Sequence, residues 1–218
     1  MLIIGAKGLA SELLPILIDV PYYFDETNLL FFDDISKLEN QLFFGKFKIL
    51  RSLEEVSSLF ASGKREFCFG FGGVYSKINL DKTLNRLGGM PKSIFSKNSS
   101  ISQFGTTIGE GTVIVGNAQI TSNVVIGKHC LIYMNTAITH DCILGDYVEI
   151  SPNVSIAGRC NIGSATTIGT GAIIIPDISI GSNCIIGAGT VVTKNIPNNS
   201  LVLGIPGRII KKITPIEI

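Results

Sequence analysis

An aliphatic residue stands at every sixth position from Ile108 to Val192: Ile108, Ile114 and Ile120 open the series, Leu144 lies in its middle, and all fifteen steps are filled. Only about a quarter of ordinary positions are Ile, Leu or Val, so chance does not produce this run. The spacing fits neither a helix, whose apolar face returns about every 3.6 residues, nor a half-buried strand, whose face returns every second residue. Short β segments that turn every six residues cannot bury their faces alone. They must stack as the coils of a solenoid with a shared interior. Glycine follows the aliphatic residue at Gly109, Gly127, Gly145, Gly163, Gly169, Gly181 and Gly187, which suits a crowded corner where the backbone turns. Four residues after the aliphatic comes a small or β-branched residue, and Cys130, Cys142, Cys160 and Cys184 share that slot. A thiol there is expected to fill core as a small hydrophobe, and the absence of CxxC spacing argues against zinc.

This beat resembles the hexapeptide repeat of left-handed parallel β-helices, in which three hexads form one triangular coil. The handedness is implied by the resemblance, because crossovers between parallel strands are ordinarily right-handed. Fifteen hexads make about five coils and a prism roughly 24 Å tall at the usual strand spacing. Pro91 to Ser102 reads as a linker or a first irregular rung. From Asn195 to Ile213, prolines and asparagines break the beat, as a cap over the open end requires.

Residues 1–90 read differently. MLIIGA, LLFFDD and EFCFGFGG are strand candidates, while SELLPILID, SLEEVSSLFASG and INLDKTLNRLG carry helical signals. The alternation predicts a small parallel α/β, Rossmann-like domain ahead of a β-helix over residues 91–218. Gly5 and Gly8, between the first strand and helix, let backbone N–H groups approach a phosphate. The full GxGxxG is missing, which favours a mononucleotide diphosphate over a dinucleotide. Asp33 and Asp34 close the second strand and Gly72 and Gly73 the third, all at the edge where such sheets bind ligands. The same residues also suit plain turns.

Eighteen Lys and Arg against seventeen Asp and Glu leave no strong field for nucleic acid or an anionic membrane. The start MLIIGAKG lacks a basic region and a cleavage site, and no apolar run is long enough to cross a bilayer, so a cytoplasmic protein is expected.

His140, two residues after Ile138, takes an outward position and is followed by Asp141. A carboxylate beside an imidazole fixes its tautomer and raises its basicity, as a general base near neutral pH needs. A plain surface histidine is the alternative. His129 also takes an outward slot, preceded by Lys128 and followed by no acid; Asp146 and Glu149 lie on the next segment. Two histidines cannot supply the three ligands of a catalytic zinc, so no metal is expected.

With THDCILGD, Thr139 to Asp146, the chain is similar over essentially its full length to a sugar acyltransferase family. Its members place a Rossmann-like nucleotide-sugar domain before a left-handed β-helix, and include sialic-acid acetyltransferase-like proteins and the amino-sugar acetyltransferases of bacillosamine and perosamine synthesis. Their H-[DE]-C-x-[IL]-G segment matches here, and the resemblance implies that His140 is the base, supported by Asp141. It implies that the Gly158 N–H meets the thioester carbonyl of acetyl-CoA. The cofactor set it implies is Gly158, Thr170, Ala188, Ile205, Pro206 and Arg208, the last three within GIPGR. Gly5, Gly8, Asp33, Asp34 and Gly72 would hold a nucleotide-linked amino sugar, and acetyl-CoA would lie between neighbouring β-helices of a homotrimer. Three departures stand out: GAKGLA replaces a signature closer to GAGGHG, Glu149 replaces a second histidine, and Tyr133 replaces a frequent asparagine, the last two changes falling in the active-site groove. The expected activity is acetyl transfer to a sugar amine; transfer to a sugar hydroxyl, and an inactive nucleotide-sugar binder, are the alternatives.

Overall fold

The computed structural model describes residues 1–18, 27–36 and 42–217. The front part is a mixed α/β sheet in the order β3-β4-β2-β1-β5-β6. β1 is Leu2–Ile4, β2 Leu30–Phe32, β3 Leu42–Phe43, β4 Phe47–Leu50, β5 Glu66–Phe69 and β6 Met90–Pro91. All neighbours run parallel except the β3–β4 hairpin. The helices are α1 (Gly8–Ile18), α2 (Leu53–Ala61) and α3 (Val74–Arg86). The three expected strands and three expected helices are present, although Asp19, the predicted end of α1, lies outside the described residues. The hairpin and β6 were not anticipated.

Each helix has its own local cause. Ser52 caps α2 by accepting the Glu55 N–H, and the Glu55 carboxylate accepts the Arg51 N–H at 2.6 Å, which satisfies two otherwise orphaned donors. α1 buries Leu9, Ala10, Leu13, Leu14 and Leu17 in one cluster with Ile94, Val113, Val115 and Leu131, so its apolar stripe seats the front domain on the β-helix. α3 starts at Gly73 with no capping side chain of its own; its cap arrives from elsewhere, as described below.

From Ile94 onward the chain winds as a parallel β-helix whose three faces have eight, six and five strands. The first face carries Val113–Ile114, Leu131–Ile132, Glu149–Ile150 and Thr167–Ile168; the second carries Ala137–Ile138, Ser155–Ile156 and Ile173–Ile174; the third carries Val125–Ile126, Ile143–Leu144 and Asn161–Ile162. Register advances by eighteen residues per coil, as in Ile120 opposite Ile138 and Ile138 opposite Ile156. The aliphatic column is buried from Ile114 on, with Ile114, Ile132, Ile138, Ile156, Ile168 and Ile174 at 0% exposure, and Ile108 at its start is partly buried. Burial of each such side chain stabilises the stack by about 1.5–3 kcal/mol. Cys130, Cys142, Cys160 and Cys184 are buried in the same core.

The stack is taller than the beat alone indicated. Ile94–Phe95 and Ser100–Ile101 pair with Val113–Ile114 and Gln119–Ile120, so the segment expected as a linker or irregular rung contributes a true rung from Ile94 on, while Pro91 belongs to β6. Seven residues rather than six separate Ile101 from Ile108, and that extra residue hides the rung from a strict six-residue count. At the far end Ser200–Leu203 continues the first face, and Arg208–Lys212 folds back antiparallel as the cap.

The corners differ from expectation in one respect. Fifteen consecutive turn positions, spaced by six from Gly105 to Gly189, all have left-handed backbone, and eleven of them are Gly, Asn or Asp. This column, three residues after the aliphatic, is where the chain turns. The glycines directly after the aliphatic serve another purpose. A Cβ on Gly109 would come 2.6 Å from the Gly127 carbonyl carbon, and one on Gly127 the same distance from Gly145. Stacked backbones exclude side chains there.

Candidate active site

His140 and Asp141 occupy the corner between the second and third faces, because the hexad places them directly after Ile138. Asp141 takes the left-handed position, φ 60°, and turns its carboxylate back so that Oδ2 lies 2.7 Å from His140 Nδ1. The two side chains are 50% and 46% exposed, so the pair faces outward. The His140 hydrogen bond, and then one from Asn123, hold the Asp141 carboxyl below its ordinary value. An ionised carboxylate at Nδ1 keeps the proton on that nitrogen and leaves the Nε2 lone pair free. That is the arrangement of a general base.

One coil on, Gly158 lies against the imidazole: a Cβ there would come 2.6 Å from both His140 Cε1 and Nε2. Its neighbours Ala157 and Arg159 donate to the carbonyls of Ile174 and His140 at 3.0 and 2.9 Å. Among the described residues the Gly158 N–H donates to no protein acceptor, so it is free for an incoming oxygen. Arg159 turns its guanidinium to Asp177 in a two-point contact, at 2.6 and 2.9 Å.

The remaining cofactor candidates lie on a different edge. Thr170 and Ala188 sit at the corner between the first and second faces. The segment holding Ile205, Pro206 and Arg208 closes on that same edge: Val191 donates to the Gly204 carbonyl at 3.1 Å and Gly207 donates to the Val191 carbonyl at 2.7 Å. A single chain therefore does not bring Thr170, Ala188, Ile205, Pro206 and Arg208 to His140 and Gly158; the second face separates them.

The front-domain candidates do meet. Gly5, Gly8, Asp33, Asp34 and Gly72 all line one cavity of about 710 Å³ at the carboxyl ends of β1, β2 and β5, closed on the β-helix side by Leu131 and Tyr133. Gly5 makes the tight exit from β1 with φ 103°, and a Cβ would come 3.2 Å from the Gly70 carbonyl oxygen. Asp33 is partly a scaffold: its carboxylate accepts the N–H groups of Ala6, Ile35 and Ser36. Burial alone would raise its carboxyl, but those donors outweigh it and hold it below the ordinary value. Asp34, Lys7, Ser76 and Asn79 supply further polar groups to the lining.

Two sequence readings are corrected. His129 is not an outward residue but 3% exposed, with Nε2 3.1 Å from Asp81 of α3 and its ring stacked on Tyr147. Its left-handed corner points at the front domain, and its acidic partner lies far away in the sequence. Glu149 is likewise no groove residue of its own chain. It pairs with Lys77 at 2.7 Å, with Lys77 only 2% exposed, and its carboxylate accepts the Gly73 N–H at 2.8 and 3.1 Å. Glu149 thus supplies the missing cap of α3 and fixes the Gly72 rim of the cavity. Tyr133, the other departure, lines the cavity and donates its hydroxyl to Glu12.

The fold and this site define a hexapeptide-repeat β-helix carrying an α/β front domain. The profile of the bacterial transferase hexapeptide (six repeats) matches residues 123–158 and 159–194. No curated protein matches the chain. Among solved structures, a variant of perosamine N-acetyltransferase from Caulobacter crescentus, in complex with CoA and GDP-perosamine, superimposes with a TM-score of 0.81 at 22% identity, over 97% of this chain and 96% of that one. The acetyltransferase domain of PglB from Neisseria gonorrhoeae FA1090, in complex with acetyl coenzyme A, gives 0.84 at 23% identity over 96% and 98%. WeeI from Acinetobacter baumannii AYE gives 0.84 at 26% over 96% and 98%. The chain carries the bacterial transferase hexapeptide repeat, and its fold, front domain and left-handed β-helix together, is that of the perosamine N-acetyltransferase and PglB-domain structures.

Proposed function

We propose that this protein is an acetyl-CoA-dependent acetyltransferase that acetylates the amine of a nucleotide-linked amino sugar. The observation that carries the reading is the His140 imidazole, tied to Asp141 through Nδ1 and laid over the bare Gly158. The front cavity, with helix α1 opening beside Gly5 and Gly8, suits the diphosphate and base of a nucleotide sugar. An amino sugar is mostly protonated at neutral pH, so its nitrogen loses one proton to solvent before it can attack. His140 Nε2 takes a second proton as the neutral nitrogen bonds to the thioester carbon. The Gly158 N–H stabilises the oxyanion, the carbon–sulfur bond breaks, and His140 returns its proton to the departing thiolate to give the CoA thiol. The perosamine N-acetyltransferase variant was solved with CoA and GDP-perosamine and the PglB domain with acetyl coenzyme A, which supports the same pair of substrates here.

The split between His140 and the Thr170–Ala188 edge supports assembly. Copies arranged about a threefold axis that runs alongside the prism set one edge of a chain against the other edge of its neighbour, and three such contacts close a ring. Acetyl-CoA then lies between adjacent β-helices of a homotrimer of 23.3 kDa chains. Among the described residues no helix is long and apolar enough to cross a membrane. A cytoplasmic setting, where both activated substrates occur, completes the reading.

The test is a panel of UDP-, dTDP- and GDP-linked amino sugars, with hydroxy analogues, incubated with acetyl-CoA and followed by thiol release. Turnover with one amino sugar is expected. Acetyl-CoA protection in a melt without turnover on any member would overturn the assignment in favour of a binding protein.

A further inference from the structure

We propose that Asn123 is a positioning residue for the base: through its side-chain amide it holds the Asp141 carboxylate in the plane that faces the His140 imidazole. The inference deepens the reading of His140 as base and rests on it. Asn123 stands one coil above Asp141 in the same corner column and donates from Nδ2 to Asp141 Oδ1 at 3.1 Å, while Asp141 Oδ2 meets His140 Nδ1 at 2.7 Å. An ionised carboxylate only accepts, so the amide must present its NH₂ to Asp141. The other end of the amide has room made for it. A Cβ on Gly105, one coil further up, would overlap Asn123 Oδ1, and the bare glycine is what gives the amide its place.

Asparagine ladders occur at the other corners, Asn135 to Asn153 at 3.3 Å and Asn183 to Asn199 at 2.7 Å, and those pairs join two amides. The Asn123 ladder instead ends on a carboxylate already bonded to an imidazole. The charged groups around that imidazole are Asp141 beside it and Arg159 and Asp177 on the coils below. Arg159 is turned to Asp177. Asn123 therefore supplies the direct bond that keeps Asp141 from rotating away from Nδ1. A carboxylate on a half-exposed corner has no packing to hold it otherwise.

Three variants test this. Asn123→Ala should lower kcat about 5- to 20-fold with both KM values within about twofold, because the base is displaced while binding is intact. Asn123→Asp adds a carboxylate beside Asp141; the added negative charge favours the imidazolium and moves the acidic limb of the kcat/KM profile to higher pH. Combining Asn123→Ala with Asp141→Ala should cost little beyond Asp141→Ala alone, since Asn123 acts through Asp141. Asn183→Ala, which breaks a ladder on another corner, serves as the control for folding and is expected to keep activity. An arm independent of turnover uses ¹⁵N spectra of the imidazoles. The chain has two histidines, so a His140→Gln spectrum assigns them. The parent should show the Nδ1–H tautomer at His140, and Asn123→Ala should mix tautomers. Unchanged kcat and tautomer in Asn123→Ala, or full additivity in the double variant, would overturn the proposal. A parent without acetyl transfer but with the tautomer change would uphold the positioning and sink only the assigned reaction.

Discussion

His140 and Gly158 face each other across adjacent coils so closely that a single methyl group on the glycine would stand 2.6 Å from the imidazole Nε2. The contact is to an exposed side chain rather than to backbone. Gly158→Ala should therefore fold, displacing the ring instead of the coil. We expect its melting temperature to fall by only a few degrees while kcat drops about 10²-fold, through a misplaced base. Circular dichroism melts beside single-substrate kinetics check both halves.

Removing the imidazole altogether isolates proton transfer. His140→Ala should lower kcat by about 10² to 10⁴, with acetyl-CoA binding retained. Calorimetric titration with acetyl-CoA, set beside turnover, separates the two, and near-parental turnover would refute His140 as base.

Glu149→Ala leaves Lys77 buried without its partner and uncaps α3 at Gly73. Breaking a buried pair from one side costs about 3–5 kcal/mol. Urea unfolding should register that loss. Lys77→Met combined with Glu149→Leu should recover part of it, since no charge is then stranded.

Acid should loosen the same interface. Burial alone would raise the Asp81 carboxyl, but the His129 imidazole 3.1 Å away and the hydrogen bond from the Tyr147 hydroxyl outweigh it and lower it below the ordinary 3.8. A depressed folded-state value means that this stabilisation is complete above about pH 4 and is lost as pH falls through the folded value. Stability measured from pH 6 down to pH 2 should decline below about pH 4, and Asp81→Asn should flatten that decline while lowering the plateau.

If the site is shared between copies, inactive variants should rescue one another. His140→Ala and Ala188→Trp damage opposite edges of the second face. Random mixing by co-expression then leaves about one interface in four with both edges intact. About a quarter of parental activity is expected, and light scattering should give roughly three chain masses. No recovery at all would overturn the shared site.

Much of this was legible because the interior of a β-helix imposes its period on the chain. The fifteen aliphatic steps located the coils, and the same beat put His140 and Gly158 one rung apart. Phe95 and Ile101 escaped because one extra residue before Ile108 broke the count. The turn column was misplaced because glycine answers two different demands: stacked backbone after the aliphatic residue and left-handed φ two residues later. His129 and Glu149 were misread for a deeper reason. Their partners Asp81, Lys77 and Gly73 belong to α3, and nothing in a local window announces a contact with a distant helix.

Glu149's grip on α3 also bears on how such proteins can be recombined. A chimaera that joins this front segment to the coils of a relative would confront Lys77 with a foreign side chain and leave the first turn of α3 bare. New acceptor specificity should therefore transplant only when the graft carries position 149 together with residues 72–81, a seam that follows the hydrogen bonds and not the boundary between the two sheets.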